Sequence, residues 1–269
     1  MLGQHPDLYG FPELSLFAAE TVQGLARTLA TRSPFPFRYP PGLLRTLAEL
    51  HAGRQTAMEV ERAEAWLDRR GSWTTRRVLN HLLLSVAPRI GVDKSPQTAM
   101  GPQYLRRALK WYPKSKLVHL ARHPITAIAS LQQHLVPGGS EPRVCAAYWL
   151  YVHKNIFTLT RRLPPQRIIR VRGEELLARP DERLATIAGA LGVRATPGAI
   201  RAMQHPEHSP YARPGPSNAP LGNDPNFVHA PRLRRPEATP STLEKPPAWK
   251  IDARLWQQVS DCARALGYE

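Results

Sequence analysis

Between Leu14 and Leu29 the apolar residues return every three or four positions, the spacing that gathers them on one side of an α-helix. A proline-rich break from Pro34 to Pro41 follows and reads as a loop. Leu43–Leu50, Met58–Leu67 and Trp73–Val86 repeat the helical spacing, with Ser72 placed to cap the third, so the first third of the chain is predicted to be mostly helical. The pattern then changes. Arg89-Ile90-Gly91-Val92-Asp93 is a short strand, ended by Lys94-Ser95-Pro96 because proline cannot donate to a sheet ladder. A helix over Gln103–Trp111, a second strand over Lys116–Ala121 and a helix opening at Pro124 come next. A long helix over Pro142–Arg162, a third strand over Arg167–Val171 and helices over Leu184–Leu191 and Ala253–Leu266 complete the reading.

Strand, tight turn and helix in alternation predict an α/β fold with a central, mostly parallel sheet flanked by helices. At 269 residues and 42% apolar, the chain is long enough to bury one large core, and a single domain over 1–269 is expected. Eleven prolines between His205 and Trp249 exclude regular structure there, so residues 205–249 are expected to form a long ordered loop or a mobile lid. No repeat of fixed period is present. No stretch approaches the roughly 18 apolar residues of a membrane span, and Met1-Leu2-Gly3-Gln4-His5-Pro6 has no basic region leading into an apolar run. A cytoplasmic protein is predicted. Its two cysteines, Cys145 and Cys262, lie far apart without metal-ligand spacing, which fits a reducing compartment and a fold using neither disulfides nor zinc.

The formal charge of +16 draws in polyanions: nucleic acid, an acidic carrier protein, or a nucleotide with several phosphates. Charge alone does not choose among them. The basic residues fall in short pairs such as Arg69-Arg70, Arg76-Arg77, Arg106-Arg107, Arg161-Arg162 and Arg234-Arg235, without a long run or interleaved aromatic platform. Such pairs read as solvated helix faces and argue against nucleic acid.

More specific chemistry lies in Lys116-Leu117-Val118-His119-Leu120-Ala121-Arg122-His123-Pro124, continued by Ala127-Ile128-Ala129-Ser130-Leu131. An arginine at a strand's carboxyl end and a serine eight residues on, about two turns into the next helix, can converge on one anion. Arg122 would supply a forked charge and Ser130 a hydroxyl donor. Upstream, Val92-Asp93-Lys94-Ser95-Pro96 places an ammonium at another strand end, where it can neutralise charge on a group in flight. Together these segments resemble the sulfotransferases that use 3′-phosphoadenosine 5′-phosphosulfate (PAPS) as donor. The resemblance covers most of the chain, from about His5 to Tyr268, and implies that Arg122 and Ser130 hold the nucleotide's 3′-phosphate while Lys94 stabilises the transferring sulfuryl group. It implies no metal.

His5-Pro6-Asp7-Leu8-Tyr9-Gly10-Phe11-Pro12-Glu13-Leu14 resembles the stretch that follows the 5′-phosphosulfate-binding loop and helix in this family, and its tyrosylprotein-like branch places the acceptor-deprotonating carboxylate where Glu13 stands. Gly222-Asn223-Asp224-Pro225-Asn226-Phe227-Val228-His229 resembles a late covering or acceptor-facing loop of the bacterial domains, including those acting on β-hydroxyacyl chains of polyketide assembly lines. His229 is therefore the rival base to Glu13. Arg170-Val171-Arg172-Gly173-Glu174-Glu175-Leu176 resembles a further family stretch, with Gly173 where a tyrosine is usual. The implied acceptor bears a hydroxyl, and a β-hydroxyacyl group on an acidic carrier suits the basic surface. The family's first strand and glycine-containing 5′-phosphosulfate loop have no counterpart here; Thr31-Arg32-Ser33-Pro34 lacks glycine and sits in the wrong place. With Met1–His5 read as the end of the helix after that loop, the expectation is an N-terminal truncation from a misplaced start codon, leaving neighbours of a central strand unpaired. A non-catalytic relic that binds nucleotide or a partner, and a polyanion-binding protein, are the alternative functions. A P-loop kinase is disfavoured, since no Gly-Lys pair is followed by a magnesium-binding hydroxyl.

Overall fold

Leu8-Tyr9-Gly10-Phe11 forms a strand, β1 (Leu8–Phe11), that the periodicity does not announce. Leu8 and Phe11 are buried, and the strand exists because it pairs in parallel with β2 (Ile90–Asp93), Leu8 opposite Ile90 and Phe11 opposite Asp93. The computed structural model describes residues 1–32, 37–134, 138–234 and 241–269. Residues 33–36 of the first proline-rich break and 235–240 of the second lie outside these, as does half of the Arg234-Arg235 pair.

Between the first two strands come α1 (Val22–Arg32), α2 (Pro41–Ala52), α3 (Ala57–Asp68) and α4 (Thr75–Ser85). After β2 follow α5 (Gln97–Met100), α6 (Pro102–Trp111), β3 (Leu117–Ala121), α7 (Pro124–His134) and α8 (Pro142–Thr160). The chain ends with β4 (Ile168–Arg172), α9 (Gly173–Ala178), α10 (Pro180–Leu191), α11 (Pro197–Met203), α12 (Pro225–His229) and α13 (Ala253–Ala265). None of the described helices is long and apolar enough to cross a membrane.

These elements gather into two compact units: residues 1–98, 107–111 and 192–233, and residues 99–106, 112–191 and 234–269. The strands are parallel as expected, but among the described residues they form two two-stranded sheets, β1–β2 and β3–β4. All four strands are therefore edges, and Ile90 on β2 and Leu120 on β3 are 54% and 59% exposed.

In the first unit α2, α3 and α4 bury Leu43, Leu47, Leu67 and Leu82 completely. Two local expectations are corrected. The cap of α4 is Thr74, whose hydroxyl accepts from Arg77 N–H at 3.2 Å; Ser72 is too far upstream to reach that turn. The helix expected from Leu14 begins only at Val22, because Ser15 adopts a left-handed φ of 52° and gives its N–H to Ser95 Oγ at 2.9 Å. Leu14, Leu16 and Phe17 are buried nonetheless.

The expectation that the proline-rich segment holds no regular structure is corrected: its described part in this unit is loop interrupted by the short helix α12, which opens on Pro225, where a missing N–H costs a helix nothing. Arg45 on α2, 1% exposed, donates to Arg213 O at 2.8 Å, Leu221 O at 3.1 Å and Gln55 Oε1 at 2.6 Å. A buried guanidinium spread over three acceptors is costly to strip, so the loop is fastened rather than free. In the second unit α7, α8 and α13 pack around Ile128, Cys145, Trp149, Val259 and Ala263, and both cysteines are free and buried.

Candidate functional site

The pairing of β1 with β2 sets Glu13 and Lys94, two residues past Phe11 and one past Asp93, beside each other. Lys94 Nζ donates to Glu13 Oε1 at 2.6 Å, with the side chains 47% and 23% exposed. Residues 81 positions apart in sequence thus meet at the carboxyl ends of parallel strands, where ligands of α/β folds collect. An ion pair this exposed is worth about 0–1 kcal/mol, so Lys94 can change partner at little cost. The ammonium keeps further N–H donors, and the carboxylate a second oxygen, for a bound substrate.

Asp93 fastens this arrangement. It accepts from the Ser95 hydroxyl at 2.7 Å and from the Leu14 backbone N–H, while Ser95 Oγ accepts from Ser15 N–H. Burial pushes the Asp93 carboxyl up to about 6; the Ser95 and Leu14 bonds and Lys94 oppose that rise, and Glu13 adds to it. The sequence singles out Lys94 and gives Asp93 no role, since the need for a carboxylate acceptor appears only once the Leu14-Ser15 backbone lies against it.

The segment Gly222–His229 reaches the same place by its first residue. Gly222 O accepts Glu13 N–H at 2.8 Å. Gly222 has a φ of +114°, and a Cβ there would lie 2.6 Å from Gly42 Cα; one on Gly42 would lie 2.4 Å from Glu13 O. Only glycines allow these backbones to touch. His229, at the end of α12, is exposed and donates from Nδ1 to Pro225 O of its own turn at 2.6 Å, which leaves Nε2 as the acceptor nitrogen.

Arg122 and Ser130 belong to the second unit. Arg122 follows the last residue of β3 and is exposed, and Ser130, half-buried, is the seventh residue of α7. The turn between them is built from within. His123 N–H donates to Glu174 Oε1 at 2.7 Å, Ile125 N–H donates to His123 Nδ1 at 3.3 Å, and His123 O accepts from Ala127 N–H at 2.9 Å. Two of the N–H groups a helix N-terminus would offer an anion are therefore occupied, and Pro124 has none. The donors that remain for an anion at this turn include the Arg122 guanidinium and the Ser130 hydroxyl. Gly173, where the family pattern has tyrosine, begins α9 hard against this strand end: a Cβ on it would lie 3.3 Å from Ala121 O.

Among the described residues one His/carboxylate group has metal-ligand spacing, His205, Glu207 and His208, whose ligand atoms lie within 4.8 Å of one another on a turn that exposes both imidazoles. The sequence reading singled out none of the three.

The chain matches the Sulfotransferase family over residues 1–197. Two solved structures superpose on all of it with a TM-score of 0.75. One is a sulfotransferase domain from the curacin biosynthetic pathway, 25% identical and 91% covered. The other is a sulfotransferase domain from the Synechococcus PCC 7002 olefin synthase, 24% identical and 88% covered. No curated protein matches.

Proposed function

The chain belongs to the sulfotransferase family, and from that premise we propose that it moves a sulfuryl group from PAPS to an acceptor hydroxyl. The observation that carries this reading is the Lys94–Glu13 contact, which joins the two residues that the family resemblance implies for charge stabilisation and proton removal. Glu13 takes the acceptor's hydroxyl proton as the new oxygen–sulfur bond forms. The bond from sulfur to the nucleotide's phosphate oxygen breaks, releasing 3′-phosphoadenosine 5′-phosphate, and Lys94 balances the charge left on that oxygen. Arg122 and Ser130 hold the nucleotide by its 3′-phosphate.

For the acceptor we favour a β-hydroxyacyl group on an acidic carrier protein in the cytoplasm. The similar solved domains come from a biosynthetic pathway and an olefin synthase. Charge points the same way: residues 94–173 contain 14 Lys and Arg against one carboxylate, Glu141.

The test is intact-mass spectrometry of a β-hydroxyacyl carrier protein incubated with PAPS and the chain. A mass gain of one sulfuryl group is expected, with the rate reduced about 10²–10⁴-fold by Glu13→Gln, the range for removing a general base. A loss of that size in His229→Ala with Glu13→Gln unaffected would assign the base to His229. No transfer to any hydroxyl acceptor by folded protein would refute the reading.

A further inference from the structure

The turn carrying Arg122 is gripped by a side chain from another element. Glu174, in the first turn of α9, accepts the His123 N–H at 2.7 Å through one carboxylate oxygen. Its other oxygen accepts from the Tyr268 hydroxyl at 2.8 Å. Tyr268 is 6% exposed, and its ring meets the His123 imidazole edge to face with centroids 5.2 Å apart. Gly267, at φ +89° just past α13, gives its carbonyl to Arg172, which also pairs with Glu175. The last turn of α13 is thus latched to the β4–α9 corner, and through Glu174 to the end of β3.

The amide that Glu174 holds belongs to the peptide joining Arg122 to His123. Fixing the plane of that peptide fixes ψ of Arg122, and with it the direction in which the side chain leaves the strand end. A hydrogen bond from a backbone N–H to a carboxylate is of the strong, short class, and His123 is 1% exposed, so water does not replace it cheaply. Because the His123 and Ile125 N–H groups are committed within the protein, an anion at this turn leans on the Arg122 guanidinium.

We propose that Glu174, held in place by Tyr268, is a positioning residue that aims Arg122 at the 3′-phosphate of the nucleotide. The proposal rests on the reading of Arg122 given above. It predicts a specific defect: without Glu174 the protein loses the affinity contributed by the 3′-phosphate and keeps the affinity for the rest of the nucleotide.

The experiment compares two probes by calorimetry on the full chain, 3′-phosphoadenosine 5′-phosphate and adenosine 5′-phosphate, which differ by that one group. In the unmodified protein the first binds more tightly, and the ratio of the two dissociation constants measures the 3′-phosphate contribution. Glu174→Ala is expected to cut that ratio about tenfold while leaving adenosine 5′-phosphate binding within about twofold, the scale of one charge-assisted hydrogen bond. Glu174→Gln, which keeps an acceptor oxygen for His123 N–H, restores most of it. Should Glu174→Ala fail to fold by circular dichroism, Tyr268→Phe, which removes one hydroxyl, is read in its place and lowers the ratio by a smaller factor. A folded variant with an unchanged ratio, or one weakened equally toward both probes, overturns the positioning role. A ratio near one in the unmodified protein overturns the Arg122 reading itself, and this proposal with it.

Discussion

Acidification from pH 7.5 to 5.0 destabilises this protein through one buried pair in its second unit. His119 on β3 and His153 on α8 are 5% and 7% exposed, with His119 Nε2 2.9 Å from His153 Nδ1. They share a single proton across that contact, and His119 Nδ1 has no hydrogen-bond partner among the described residues. Trp149 and Phe157 flank the rings, and Arg170, opposite His119 in the β3–β4 register, adds a like charge. Burial accordingly lowers His119 from 6.5 to about 4 and His153 to about 3. Their folded values lie below the unfolded one, so the stability these neutral rings contribute is present above pH 6.5 and is lost as pH falls through 6.5 toward 4. At pH 5 each ring takes up a proton only on unfolding; at about 1.36 kcal/mol per pH unit this costs about 2 kcal/mol each, about 4 kcal/mol for the pair. That is a large part of a typical stability of about 5–15 kcal/mol. The assay is urea unfolding at both pH values for the unmodified protein and for His119→Gln/His153→Gln, whose side chains do not titrate. The unmodified protein should lose about 4 kcal/mol more than the double variant. Equal losses would refute the assignment of a neutral buried pair.

Three further outcomes are expected. Asp93 behaves in the opposite sense: its folded value of about 6 lies above the ordinary 3.8, so its stabilising contribution is complete below pH 3.8 and is lost as pH rises through 6. Asp93→Asn should therefore flatten the stability profile between pH 4 and 6 by about 3 kcal/mol, read by the same urea method. Gly222→Ala should cost about 2–4 kcal/mol, from a side chain forced to positive φ and against Gly42, and should reduce transfer by displacing Glu13; an unchanged urea midpoint would contradict the close approach. Cys145 and Cys262 are buried, with Cys262 pushed up to about 11, so neither should be alkylated by iodoacetamide at pH 8 until denaturant is added.

What was legible in the sequence was local. The β3 turn with Arg122 and Ser130 is contiguous, so its strand, arginine, proline and helix could be read in order, and the structure forms them in that order. The apolar runs of β2 and β4 were equally plain. β1 was not, because Leu8-Tyr9-Gly10-Phe11 is four residues among prolines and becomes a strand only through a partner 82 positions later, Ile90 for Leu8. For the same reason the Lys94–Glu13 contact, the fastening by Asp93 and the grip of Glu174 on His123 were invisible: each joins segments whose proximity is set by the fold. The start of α1 was misplaced because burial of Leu14, Leu16 and Phe17 mimics a helical stripe, while the left-handed Ser15 interrupts it. The proline count marked residues 205–249 as irregular, which hid α12, and could not show that buried Arg45 ties the described part before 222 down.

The central claim is that this protein grips a nucleotide by its 3′-phosphate through Arg122. Calorimetric titration of 3′-phosphoadenosine 5′-phosphate into the unmodified chain and into Arg122→Ala, each at two salt concentrations, tests it directly. The account predicts saturable binding that persists at the higher salt and weakens at least about tenfold in Arg122→Ala. Binding equal in both proteins and falling steeply with salt, or no binding in a folded sample, would contradict it.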